Sequence, residues 1–137
     1  SEDEVKSAMW GIGLGLDLTL REVQATLKKQ GQPWERAKSF DSSAPLSGFL
    51  PLSSVGNLDD LRFTLTINGE VRQQGHTALM LHKIVTLIAH MSSTFTLDSG
   101  DVILTGTPKG VGKLSPSDRV FASLGNQVSV YTEVVAQ

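Results

Sequence analysis

With 137 residues the chain has room for one domain and hardly two. Twelve Lys+Arg against 14 Asp+Glu leave a net charge of −2, and no basic run exceeds Lys28-Lys29, so nucleic acid is not an expected partner. A hydrophobic content of 39% excludes a disordered or fibrous chain, and the lack of cysteine excludes disulfides, thiolate nucleophiles and Cys-based zinc sites.

No apolar run approaches the ~18 residues of a membrane helix, and no signal peptide is visible. We therefore expect a cytoplasmic protein without a membrane partner. The chain starts at Ser1, not Met, which suggests a globular piece of something longer.

In chain order, Ile12, Leu14, Leu16 and Leu18 alternate with Gly13, Gly15 and Asp17, the period of a strand. The glycines leave one face bare, so something must lie close against it. Asp17 sits on that same face. Thr19 with Glu22 forms a capping-box pattern that predicts a helix to about Lys29, stopped by Gly31. Its apolar stripe is Leu20, Val23 and Leu27, while Arg21 and Gln24 lie one turn apart on another side. Residues 31–54 show little periodicity and predict an ordered loop, with a short strand at 46–50.

Leu61 to Ile67 alternates, Asn68-Gly69 offers a type I′ turn, and Glu70 to Gln74 returns, which predicts a β-hairpin. Helical spacing from His82 to Ser93 predicts a second helix. Val102-Ile-Leu104 reads as a short buried strand after a Ser99-Gly100 turn. A closing hairpin surrounds Gly125-Asn126, from Arg119–Leu124 to Gln127–Val135. The total is mostly β with two helices, hence α+β, in one domain over 1–137.

Two glycine-rich stretches invite cofactor readings. Gly11-Ile-Gly13-Leu-Gly15 misses the dinucleotide spacing, because its third glycine follows the second by two places, not three. Gly106-Thr-Pro-Lys-Gly-Val-Gly-Lys113 fails as a Walker A: position 107 is Thr where Gly is needed, and 114 is Leu where Ser or Thr is needed. The second stretch keeps two readings, a tight turn or a turn whose hydroxyls and amides bind an anion, and the residues alone favour the tight turn. His82, Thr86 and His90 share a helix face, but imidazoles two turns apart (~12 Å) cannot chelate one ion, so that face is expected to be solvated. Asp17 either ligates a hard cation such as Mg²⁺ or bonds the helix N-terminus, and both readings stay open.

Several strings together resemble the fumarylacetoacetate hydrolase family. They are Asp17-Leu-Thr-Leu-Arg-Glu-Val-Gln24, Lys28 through Phe40, Ile67-Asn-Gly-Glu-Val-Arg-Gln73 and Gly100-Asp-Val-Ile-Leu-Thr-Gly-Thr-Pro-Lys-Gly-Val-Gly112. They cover nearly the whole chain in the family's order, with the greatest similarity to its acylpyruvate hydrolase and oxaloacetate decarboxylase branch. The resemblance implies a mixed β-roll and a Mg²⁺-dependent enzyme, with Mn²⁺ as an alternative ion, acting on carbon–carbon bonds of acylpyruvates or other small 2-oxo acids. Decarboxylase and isomerase activities of the same family are alternatives, and a non-catalytic assembly subunit is an alternative from another class.

By the same resemblance Asp17 is a metal ligand and Lys38 the catalytic lysine beside the metal, while Arg21, Gln24 and Thr107 bind substrate. Thr107's implied role reverses the preference for a plain turn there. A homodimer is also implied. The family's Glu-x-Glu metal ligands and its His/Glu lid pair lie upstream and have no match here: Ser1-Glu-Asp-Glu4 matches the segment after the Glu pair. Glu22 stands where Asp is usual, and Leu20 where a small residue is usual. The chain thus reads as the C-terminal part of the catalytic domain, and we expect these 137 residues alone to be inactive.

Overall fold

Asn68 and Gly69 take φ of 54° and 84°, and this left-handed pair turns β3 (Arg62–Ile67) into β4 (Glu70–His76) as the sequence predicts. The computed structural model describes residues 1–136. Pairing slips between Leu65↔Gln73 and Thr66↔Val71, so Arg72 is the extra residue of a bulge. The closing hairpin is also present, with β5 (Arg119–Leu124) and β6 (Val128–Glu133) joined through Gly125 at φ 50°. β5 pairs with β3, giving an antiparallel sheet in the order β4-β3-β5-β6.

Strand alternation decides which side of the sheet is packed. Ile67, Val120, Ala122 and Leu124 are buried on one face, while Phe121 and Tyr131 form an exposed cross-strand pair on the other. On that outer face the Thr64 and Ser123 hydroxyls lie 3.0 Å apart. Gly75 sits opposite Phe63 because any Cβ there would overlap the Phe63 ring.

The chain folds as two compact units. One comprises Ser1–Leu14 with Ser47–Gln137, the other Gly15–Leu46. In the first, β1 (Gly11–Ile12) pairs antiparallel with β2 (Leu50–Pro51). The bare glycine face is filled as expected. A Cβ at Gly11 would overlap the Leu50 carbonyl, and one at Gly13 would crowd Ser47, Gly48 and Phe49. Both glycines thus serve close packing. At the boundary, Leu14 N–H donates to Ser47 Oγ and Ser47 N–H to the Leu14 carbonyl, each at 2.9 Å.

Two helices go beyond the two that periodicity predicts. α1 (Glu2–Ala8) starts in a capping box in which the Ser1 hydroxyl accepts from Glu4 N–H and the Glu4 carboxylate accepts from Ser1 N. The early acidic cluster is therefore a helix first turn. α4 (Ile84–Ser92) matches the second predicted helix, and His82, Thr86 and His90 are exposed as anticipated, with Thr86 donating to Glu2 Oε1 at 2.6 Å. The other addition is a one-turn helix described below.

Not every expected strand forms, and that predicted at 46–50 shrinks to Leu50–Pro51 with an isolated bridge at Leu46. Val102–Leu104 forms no ladder, and Val102 and Leu104 are 46% and 42% exposed. An apolar run makes a strand only where a neighbouring strand takes its backbone groups, and none of the described residues does so. The strand predicted from Ile12 to Leu18 is cut to two residues, because beyond Ile12 the backbone bonds become isolated. Among the described residues no helix is long and apolar enough to cross a membrane.

Candidate functional site

The chemistry-bearing residues near Asp17 all belong to the Gly15–Leu46 unit. Its first segment is extended and tied by a Gly15↔Leu46 bridge, by Leu16 N–H to the Pro45 carbonyl at 2.9 Å and by Leu18 N–H to the Ser43 carbonyl at 3.0 Å. α2 (Arg21–Lys29) follows and ends at Gly31, whose φ of 64° suits glycine, as predicted. Leu27 is buried on its inner side, and Gln24 is buried too, its side-chain oxygen accepting from Arg21 Nη1 at 3.1 Å.

The short helix α3 (Glu35–Lys38) lies in the stretch expected to be loop. It is too brief to leave a periodic pattern, and tertiary contacts hold it. Its Ala37 is fully buried and accepts from Leu20 N–H at 3.0 Å, while the Lys28 ammonium sits 4.4 Å from the Trp34 ring centre.

Thr19 does not cap α2, in contrast to the capping-box expectation. The cap position is Leu20, without a side-chain bond. The Thr19 hydroxyl is engaged by Lys38, whose ammonium donates to it at 2.9 Å and to Asp17 Oδ2 at 2.8 Å. Asp17 and Lys38 keep 38% and 33% of their side chains exposed, so the pair faces solvent on one side. The flexible lysine stem is held by neighbours at both acceptors, which is how an ammonium becomes a directed donor.

Asp17 and Thr19 sit two apart on an extended segment, so their side chains share a face. That signal was available in the sequence, but the capping rule competes for the same threonine. Of the sequence-derived candidates, the structure thus brings Asp17 to Lys38 and Arg21 to Gln24. Thr107 belongs to the other unit, where it is exposed in an irregular segment after Gly106, at φ 135°. Gly110 packs so close to the Arg72 carbonyl that a Cβ would overlap it, and Gln73 Nε2 reaches the Pro108 carbonyl at 3.4 Å. This turn is therefore fastened to β4.

A hard divalent cation takes oxygen ligands, and the Asp17 carboxylate is of that type. It is a single ligand. Among the described residues no three His, Asp or Glu side chains gather to hold an ion. The residues fit a share of such a centre and do not complete one.

The family model for the C-terminal region of fumarylacetoacetate hydrolases matches residues 1–136. The chain belongs to the fumarylacetoacetate hydrolase family. Within that family it is 56% identical over 121 residues to the oxaloacetate tautomerase YcgM of Escherichia coli, covering 88% of this chain and 55% of that protein. It is 45% identical to the mouse mitochondrial oxaloacetate tautomerase FAHD1, covering 90% of this chain and 56% of that one. The chain therefore spans about half the length of the curated relatives it matches.

Among solved fumarylacetoacetate hydrolase family structures, one from Yersinia pestis superposes with a TM-score of 0.95 at 50% identity, over 98% of this chain and 62% of that one. The fumarylpyruvate hydrolase of Pseudomonas aeruginosa, in complex with Mn²⁺ and pyruvate, superposes with a TM-score of 0.94 at 31% identity, over 100% of this chain and 59% of its own. The α+β, mostly β architecture is thus that of the family.

Proposed function

We propose that the complete protein containing this chain interconverts the keto and enol forms of oxaloacetate or a closely related 2-oxo dicarboxylate, with a divalent cation as cofactor. The observation that carries this reading is the Lys38 ammonium held between Asp17 and Thr19 at the open side of its unit. In the reaction a proton leaves C3 of the 2-oxo acid and one arrives at the C2 oxygen, and no carbon–carbon bond breaks. Negative charge grows on that oxygen in between, and a fixed positive charge beside it stabilises the transition state more than the ground state. A divalent cation, when bound, supplies further Lewis-acid stabilisation, with Asp17 as one of its ligands.

On the family pattern Arg21 offers a guanidinium to a substrate carboxylate, and Gln24 and Thr107 bind substrate. Two of the relatives described above, at 56% and 45% identity, are named oxaloacetate tautomerases, which favours this reaction over hydrolysis.

Hydrolysis of acylpyruvates is the second reading, favoured by the fumarylpyruvate hydrolase that holds Mn²⁺ and pyruvate. One assay separates the two. Purified complete protein with Mg²⁺ or Mn²⁺ is expected to accelerate the decay of enol-oxaloacetate ultraviolet absorbance without releasing pyruvate, and chelation is expected to abolish the effect. Acylpyruvate cleavage without tautomerisation would replace this reading with the second. With Asp17 as the single carboxylate at the site and no three His, Asp or Glu side chains gathered among the described residues, these 137 residues alone are expected to show neither activity. We also propose a homodimer, which light scattering of the complete protein measures.

A further inference from the structure

An ammonium has three N–H donors, and at Lys38 two are committed, to Asp17 Oδ2 at 2.8 Å and Thr19 Oγ1 at 2.9 Å. The Thr19 hydroxyl proton is directed to the Asp17 backbone carbonyl at 3.3 Å. Its lone pairs, not its proton, therefore face the ammonium, and the direction of the Lys38–Thr19 bond is fixed. A carboxylate by itself lets an ammonium swivel between two oxygens; two acceptors on different atoms define where the third N–H points.

We infer that Thr19 is a positioning residue for Lys38, aiming its remaining N–H at the oxygen on which enolate charge develops and keeping the ammonium off Asp17 Oδ1. This inference rests on the function proposed above for Lys38. Four features support it. The hydroxyl has no capping duty, since α2 begins without a side-chain cap. The flanking amides of Leu18 and Leu20 are fastened at 3.0 Å to Ser43 and to the fully buried Ala37, so the threonine backbone is held on both sides. A β-branched side chain also has few χ1 choices, so the oxygen cannot easily turn away. Asp17 Oδ1 has no side-chain donor among the described residues, which leaves it available to a cation.

The test uses the complete protein with Thr19→Val, which keeps the shape and removes the acceptor, and Thr19→Ser, which restores it. Thr19→Val is expected to lower kcat about ten- to a hundredfold, the scale of a misplaced catalytic group, with KM little changed, and Thr19→Ser to recover most of that loss. The second readout needs neither metal nor turnover. In metal-free protein the Lys38 ammonium cross-peak in a ¹H–¹⁵N spectrum, identified by its loss in Lys38→Met, should persist in Thr19→Ser and broaden in Thr19→Val as its protons exchange faster. An unchanged cross-peak in Thr19→Val, or a serine variant no better than valine, overturns the inference. If the complete protein lacks tautomerase activity, the functional reading fails, and the ammonium spectrum still decides what Thr19 does.

Discussion

A lysine is a poor residue on which to found geometry, because its four-carbon stem has many rotamers. In this chain two acceptors compensate, and the consequence for mutation is a separation of activity from stability. The Asp17–Lys38 pair is about one-third exposed, and exposed ion pairs contribute only about 0–1 kcal/mol. Lys38→Met in the complete protein is therefore expected to reduce tautomerase turnover by about a hundredfold or more, the scale of one lost electrostatic donor. Its thermal midpoint should move by only a few degrees. Calorimetry and steady-state kinetics on the same preparation check both halves.

How much of this was legible in the sequence differs by residue. The alternation exposed Asp17 as an oddity among glycines. Its bond to Lys38, 21 positions away, has no periodic signature; the family resemblance implies only that the two lie near one metal, and the structure adds the bond. Thr19 stands three residues before Glu22 and so satisfies the capping rule without capping α2.

Among the elements, those specified by local chemistry were readable. Asn68-Gly69 dictates a turn of one hand, and the hairpin follows from it. Ser1-x-x-Glu4 is a local signal of the same kind, but the segment behind it has too little apolar periodicity, and α1 lies outside the two helices that the sequence predicts. The bulge at Arg72 and the single turn of α3 arise from tertiary pairing, which no local pattern encodes. Val102–Leu104 shows the converse, an apolar run with no strand beside it to pair with.

Glycine substitutions test this division. Gly75→Ala should destabilise the sheet by about 1–3 kcal/mol, the usual cost of overpacking, because the added methyl meets the Phe63 ring. Gly112→Ala should be nearly neutral, since nothing lies within 4 Å of the new carbon. Urea denaturation of the two variants gives the comparison.

At the scale of the whole molecule, two exposed carboxylates tie stability to acid. The His76 ring, by its hydrogen bond first and its charge second, holds the Asp60 carboxyl below the usual range. The Ser115 amide first, then the Asn68 side chain, hold Asp118 below it. A carboxyl whose folded pKa is depressed binds fewer protons folded than unfolded, so its contribution is full above the unfolded value and fades as pH falls through the folded one. The thermal midpoint should therefore drop below about pH 4, the ordinary carboxylate range. A combined Asp60→Asn, Asp118→Asn variant should show a shallower acid limb. Melting curves from pH 2 to 7 measure the slopes.

The mutual bonds of Leu14 and Ser47 bear on how such a protein changes over time. They clasp the root of a 32-residue excursion, residues 15–46, and hold its two ends together. Loop closure grows costlier only slowly with length, so rewriting the interior disturbs that clasp little. Substitutions inside positions 15–46, where Asp17 and Lys38 sit, can therefore alter that part of the chemistry while the clasp that closes the excursion stays in place.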